Sequence, residues 1–247
     1  MQFLSEQRLD GVLERHLVHD DIPGILWTPD SGPAPVILLG HPGGLEPMHP
    51  RLLGRARHGA EHGFASLTIE LPGAGVRPRV PELERARADL RSALAEGRPV
   101  DDTIVDALVL TLVDLAAPEW HSALDAALAL PGIEGPVGIS GGVIALAVRL
   151  AVTDPRIEAA LLFAGSFVPR STLGEARRLR TPVHVLLQWD DAGNDRQQAL
   201  DLFDAFATEE KTLHANLGGH TGVPAFEADP AMAFLVRHLR PGSTMGQ

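Results

Sequence analysis

The sequence predicts an α/β fold: a mostly parallel central sheet with helices on both faces. Three observations carry this. Short apolar runs recur along the chain, each followed by Gly, Pro or Asp, as strands buried on both faces require. Helical patterns separate these runs, and such alternation implies βαβ units. The 247 residues, 45% hydrophobic and 21% charged, suit one globular domain of this class and not a disordered chain.

The elements follow in order. Val12, Leu13, Leu17 and Val18, then Ile22 to Trp27, alternate loosely and predict an antiparallel ribbon that turns at Asp20–Asp21. Pro35 to Leu39 is a continuous apolar strand stopped by Gly40. The same signature returns at Phe64 to Leu71, closed by Pro72-Gly73, and at Pro136 to Ile139, which ends at Ser140-Gly141-Gly142. It returns again at Ala159 to Ala164, at Pro182 to Leu187 before Asp190-Asp191, and at Leu213 to Leu217 before Gly218-Gly219. Helices are expected over Arg51 to His62, with Gly63 as C-cap, and over Glu82 to Glu96. Asp101 to Leu130 reads as one long helix or two broken ones; Val143 to Val152, Arg196 to Phe206 and Ala225 to Leu239 complete the set. The stretch from Gly75 to Val105 is longer than a crossover needs. Its helix reads as an insertion above the C-terminal edge of the sheet, either a cap over a site or an ordinary surface helix.

Composition excludes several classes. Lys+Arg 21 against Asp+Glu 32 leaves a net charge of −11, which disfavours a nucleic-acid backbone or an anionic membrane surface as partner. No apolar run reaches the ~20 residues of a membrane helix, and Met1 to Gly11 lacks the apolar core of a signal peptide. A cytoplasmic protein is the expectation. With no cysteine, disulfides, thiolate zinc sites and cysteine nucleophiles are removed together.

Gly138-Ile139-Ser140-Gly141-Gly142 fits G-x-S-x-G, after an apolar strand and before an apolar helix. In that setting a serine sits on a tight turn with its Oγ exposed, and glycines flank it because the turn has little room. A serine hydroxyl needs a base within hydrogen-bond reach, and the base needs an orienting carboxylate. Asp190 or Asp191 can supply the acid and His220 the base, each at a later strand end and in the order Ser, acid, His.

With these residues the chain resembles an α/β-hydrolase of the serine esterase and dienelactone-hydrolase-like kind, over almost its whole length. Leu187 to Asp191 stands for the acid loop, whose usual form places the aspartate second and so favours Asp191. Gly219-His220 stands for the histidine loop, and Gly40-His41-Pro42-Gly43-Gly44 for the oxyanion loop. The resemblance implies a catalytic triad of Ser140, Asp191 and His220. Oxyanion donors would be the amides of Gly141 and Gly43, with Gly44 as the fallback, since Pro42 has no N–H. Dienelactone hydrolases proper commonly use a cysteine, and this chain departs from them there. Its oxyanion loop also reads His-Pro-Gly-Gly in place of the commoner His-Gly-x form.

The expected activity is carboxylic-ester hydrolysis through an acyl-enzyme, on a small-molecule ester, without cofactor or metal; a homodimer is compatible with it. Lactone, thioester or peptide cleavage would use the same triad, and a non-catalytic small-molecule receptor is the rival from another class. Trp189, Phe167, Leu45, Met48, Val223 and Phe226 fall in or near loops that could line a pocket. His41 could touch substrate or support its loop. His58-Gly59-Ala60-Glu61-His62 matches the zinc-protease pattern H-x-x-E-H, but it sits at a helix end with Gly59 inside it, so solvated histidines explain it better. His121, His214 and Ser166 read as ordinary strand, surface or loop positions.

Overall fold

The computed structural model describes residues 1–163, 167–191, 193, 195–220 and 222–240. Among these, β1 (Gln2–Leu9), β2 (Val12–His19), β3 (Ile22–Pro29), β4 (Ala34–Gly40), β5 (Ala65–Ile69), β6 (Ile133–Gly141), β7 (Ile157–Phe163), β8 (Val183–Gln188) and β9 (Lys211–Asn216) form one sheet, ordered β1-β2-β3-β5-β4-β6-β7-β8-β9. The pairs from β1 to β5 are antiparallel, and all pairs from β5 through β9 are parallel. The expected mostly parallel α/β sheet is therefore present.

The helices are α1 (Leu45–Glu61), α2 (Pro81–Ala95), α3 (Asp102–Leu128), α4 (Ile144–Thr153), α5 (Arg170–Ala176), α6 (Arg196–Ala205) and α7 (Ala228–Leu239), the last preceded by a 3₁₀ turn at Ala225–Glu227. They cover the two faces of the sheet. Ile37 and Leu39 of β4 pack with Leu52 and Ala56 of α1 and Leu235 and Leu239 of α7. Val36 and Leu38 point the other way, into the core built with α3, α4 and α6. This is why β4 reads as a continuous apolar run: successive side chains enter different cores.

Where sequence and structure differ, the reason is local. The edge strand β1 is exposed on both faces, so it carries no apolar alternation to detect. Helix α1 starts well before Arg51, because Pro47 and Pro50 in its early turns read as breakers. Its N-terminal amide is satisfied from outside: the Glu70 carboxylate accepts from Leu45 N at 3.1 Å, while Gly44 offers no side-chain cap. Helix α3 runs unbroken through Pro118. The short α5 was not expected. The turn at Asp20–Asp21 is as expected, with both residues at positive φ (49° and 63°).

Helix α2 packs on α3, and Arg77 at its approach is paired with Glu119 of α3 at 2.6 Å. The loop before it runs beside the segment after β4: a Cβ on Gly44 would meet the Gly75 amide nitrogen at 3.5 Å. Among the described residues no helix is long and apolar enough to cross a membrane.

A tight seam lies between the C-terminal ends of β4 and β6. Gly40 pairs with Gly141, and a Cβ on Gly40 would fall 2.5 Å from Gly141 O and 2.8 Å from Gly142 Cα. Both obstacles are backbone and cannot swing aside. Gly40→Ala is expected to lower unfolding stability by about 3 kcal/mol. Gly174→Ala, in α5 with open space around it, is expected to be neutral or to stabilise by about 0.5 kcal/mol. Urea midpoints of the two variants check this, and similar midpoints would contradict the tight-seam account.

Candidate active site

The C-terminal ends of β4, β6, β8 and β9 carry the chemically able groups. In the loop after β8, the Asp191 side chain is only 5% exposed, and its Oδ2 accepts from His220 Nδ1 at 2.8 Å. The His220 side chain is 63% exposed, so the rest of its ring faces solvent. Asp190 does a different job: its Oδ1 accepts from the amides of Gly218 and Gly219, each at 2.9 Å. These backbone donors hold its carboxyl below the usual range. The adjacent aspartates thus divide the work, Asp190 fastening the loop and Asp191 meeting the imidazole that the loop presents. Asp195, the third acid nearby, caps α6 through Gln197 N and Gln198 N.

Ser140 is not where the sequence reading places it. The strand β6 continues through Ser140 to Gly141, and Ser140 is only 3% exposed. The left-handed residues are Gly141 (φ 72°) and Gly142 (φ 86°), and Ser140 itself is not among the residues at positive φ. The sharp turn therefore falls after the serine. Two consecutive glycines explain the shift, because they take the left-handed conformation without the steric penalty a serine would bear.

As a strand residue, Ser140 follows the alternation of the sheet. Gly138, two residues earlier, faces Leu235 and Leu239 of α7, and Ser140 likewise points to the α1–α7 face. There Arg55 Nη2 donates to Ser140 Oγ at 2.7 Å and also to the Ser140 carbonyl, while Arg55 Nη1 donates to the Gly40 carbonyl at 3.1 Å. The Phe163 ring lies 5.5 Å from the guanidinium. Burial pushes Arg55 down to about 10, so it remains a cation at neutral pH. The structure brings Asp191 to His220; no hydrogen bond joins either to Ser140 among the described residues.

Arg55 is the functional-site residue that sequence reasoning missed. A signal existed: Leu52, Ala56 and Gly59 make the buried stripe of α1, and Arg55 stands between them, one turn from Leu52 and Gly59. A cation on the inward face of a helix needs polar partners, and the strand ends supply them.

Of the other expected site residues, Gly141 ends β6 and, with His41, Trp120 and Ile139, lines a small cavity. Gly43 has open space beside it. His41 is buried, with Nε2 2.9 Å from the Ile69 carbonyl, so its ring ties the loop after β4 to β5. Trp189 is exposed, pairs through its amide with Asn216 O at 2.6 Å, and has the Arg196 guanidinium over its ring at 4.2 Å. Phe167 is half-buried at φ 61°, an unusual conformation for an aromatic residue. Leu45 is core, whereas Phe226 is exposed. Ser166, Thr221 and the end of the expected strand at Ala164 lie outside the described residues.

No family model and no curated protein sequence matches the chain. Solved structures do. A cold-adapted esterase from an Arctic intertidal metagenomic library is 28% identical, with TM-score 0.69, over 97% of this chain and 100% of that one. At 17% identity, an acetyl xylan esterase from Paenibacillus sp. R4 (TM-score 0.64, 96% of this chain, 87% of that one) shares the fold. So does a dienelactone hydrolase from Anabaena variabilis, also 17% identical (TM-score 0.62, 97% and 100%). The chain has the α/β-hydrolase fold. Within that fold it is similar to esterases and dienelactone hydrolases.

His41 gives a pH test of this edge. Its burial pushes the imidazole below its ordinary value, so the folded protein resists the proton that an unfolded histidine takes as pH falls through about 6.5. The unfolded state then binds more protons, and this group's contribution to stability falls with pH below about 6.5. Between pH 7.5 and 5.5 the urea midpoint should drop more for the wild type than for His41→Gln. Equal drops would place the pH sensitivity elsewhere.

Proposed function

We propose that the protein is a hydrolase of carboxylic esters of small molecules, acting through Ser140, His220 and Asp191. The observation that carries this reading is the Asp191–His220 pair, 2.8 Å apart. It sits at the strand ends of a scaffold that is 28% identical to an esterase along nearly the whole of both chains.

In the proposed reaction, Ser140 Oγ leaves Arg55, and the Gly141–Gly142 turn moves to bring it within hydrogen-bond reach of His220 Nε2. His220 takes the hydroxyl proton as Oγ attacks the ester carbonyl. Asp191 holds the ring through Nδ1 and stabilises the imidazolium that forms. The amides of Gly141 and Gly43 receive the oxyanion. Collapse of the tetrahedral intermediate expels the alcohol, which takes the proton from His220. Water, deprotonated by His220, then releases the acid and restores Ser140.

One observation favours a second reading. Ser140 is buried and its hydroxyl already engaged by Arg55, which suits a scaffold that binds small esters without turning them over. Turnover of a series of p-nitrophenyl esters decides between the two. Ester hydrolysis predicts product release that Ser140→Ala lowers by about 10⁴-fold or more and Asp191→Asn by a similar factor. Asp190→Asn should cost only about tenfold, since it acts by loosening the loop that bears His220. A fluorophosphonate probe should add once per chain, on Ser140. Saturable ester binding with no product and no adduct would establish the receptor reading. Equal, small effects of the two aspartate changes would remove Asp191 from its role.

A further inference from the structure

Outside the candidate active site, the described residues contain three places where histidine and carboxylate ligand atoms gather within 4.8 Å of one another. They are not equivalent. In the first, Glu14 is fully buried and saturated: Oε1 accepts from Gln7 at 2.6 Å and meets His16 at 3.1 Å, and Oε2 accepts from Trp27 at 2.7 Å and meets His49 at 2.8 Å. That network is complete without a ligand. The second, His58, Glu61 and His62, is the H-x-x-E-H segment. It lies open at the end of α1, and His62 Nδ1 is bound to the His58 carbonyl at 3.0 Å.

The third cluster differs because one of its nitrogens is buried without a partner. His184 of β8 is 3% exposed. Its Nδ1 is bound to Thr212 Oγ1 at 2.6 Å, while its Nε2, also buried, makes no hydrogen bond. A buried ring nitrogen left unsatisfied is costly and rare. Beside it stands His214 of β9, with ring centroids 4.5 Å apart at 77°. Register explains the meeting: His184 is opposite Thr212 and Leu186 opposite His214, so the two histidines are diagonal neighbours on one face of the sheet. His214 Nδ1 lies 2.8 Å from Glu227 Oε2, and Glu227 Oε1 accepts from Asn216 Nδ2 at 3.0 Å.

We propose that His184, His214 and Glu227 form a binding site for a divalent transition-metal ion of the zinc type. Two imidazoles and a carboxylate are a donor set that such an ion prefers, and three protein ligands leave a position for water. His214, with 40% of its side chain exposed, gives access from solvent. Hydrogen bonds behind the ligands orient them as metal sites require: Thr212 fixes the His184 ring, and Asn216 fixes the Glu227 carboxylate. With Nδ1–H donating to Thr212 Oγ1, the His184 Nε2 lone pair is left for an ion. The neighbouring cation, Arg237, is paired with Glu210. Tetrahedral ligands at about 2.1 Å from a metal stand about 3.4 Å apart, so small side-chain rotations close the site from its present spacing. His214 and Glu227 bracket the segment that bears His220, and a bound ion would brace both ends of it.

The test uses full-length protein stripped with a chelator and dialysed against Zn²⁺ alone, with metal counted by mass spectrometry. Co²⁺ absorption reports the geometry. One ion per chain is expected, with tetrahedral Co²⁺ bands and a rise in Tm on adding Zn²⁺. His214→Ala and Glu227→Gln should each weaken binding at least tenfold. The first removes a partly exposed ring and the second preserves shape, so both variants should fold. His220→Ala and the double variant His58→Ala/His62→Ala should bind as the wild type does. No bound Zn²⁺, unchanged affinity in His214→Ala, or loss of the ion in His220→Ala or the double variant would overturn the site.

Discussion

The guanidinium of Arg55 reaches from α1 to the ends of two strands and donates to the carbonyls of Gly40 and Ser140 and to the Ser140 hydroxyl. These carbonyls lie at the seam between the ends of β4 and β6, where side chains on Gly40 or Gly142 would strike backbone. The seam cannot be filled with apolar packing, because only glycine fits. Removing Arg55 would forfeit its charge-assisted hydrogen bonds to these carbonyls, each worth about 1.5–3 kcal/mol. One cation thus satisfies the polar ends of the strands, ties them to a helix, and sets the resting direction of the serine hydroxyl.

From this follows a division between rigid and movable parts of the edge. The β4 side is pinned by Arg55, by the His41–Ile69 contact and by the Glu70 carboxylate that caps α1. On the β8–β9 side, Asp190 grips the backbone of the loop and Asp191 grips the ring of His220. The Asp191–His220 pair is therefore held together without the serine. The serine is held apart, its hydroxyl accepting from Arg55, which also donates to two carbonyls. Gly141 and Gly142, already left-handed, give the backbone there freedom that a serine at the apex of the turn would not have.

Much of this was legible in the sequence because it rests on short-range rules. Strand after strand is announced by a continuous apolar run, since both faces of the inner sheet are covered. The loops with Asp190, Asp191 and His220 fall at strand ends that the pattern locates. What was not legible depends on three-dimensional approach. The motif Gly138 to Gly142 has the right letters, yet its consecutive glycines, Gly141 and Gly142, let the left-handed turn fall after the serine. Arg55 belongs to a helix whose prolines obscured its start, and its partners lie on β4 and β6. The cluster of His184, His214 and Glu227 joins residues from two strands and a 3₁₀ turn, with no spacing to betray it. The exposed β1 lacks pattern because neither of its faces is buried.

In the proposed reaction Ser140 exchanges Arg55 for His220. The most direct measurement is a crystal structure of the protein after exposure to a phosphonate ester inhibitor. Phosphorus should be bonded to Ser140 Oγ, with that oxygen withdrawn from Arg55. The phosphoryl oxygen should lie near the Gly141 amide, and His220 Nε2 within hydrogen-bond distance of the adduct. An unmodified Ser140 still held by Arg55, with the inhibitor bound intact or attached elsewhere, would contradict the exchange.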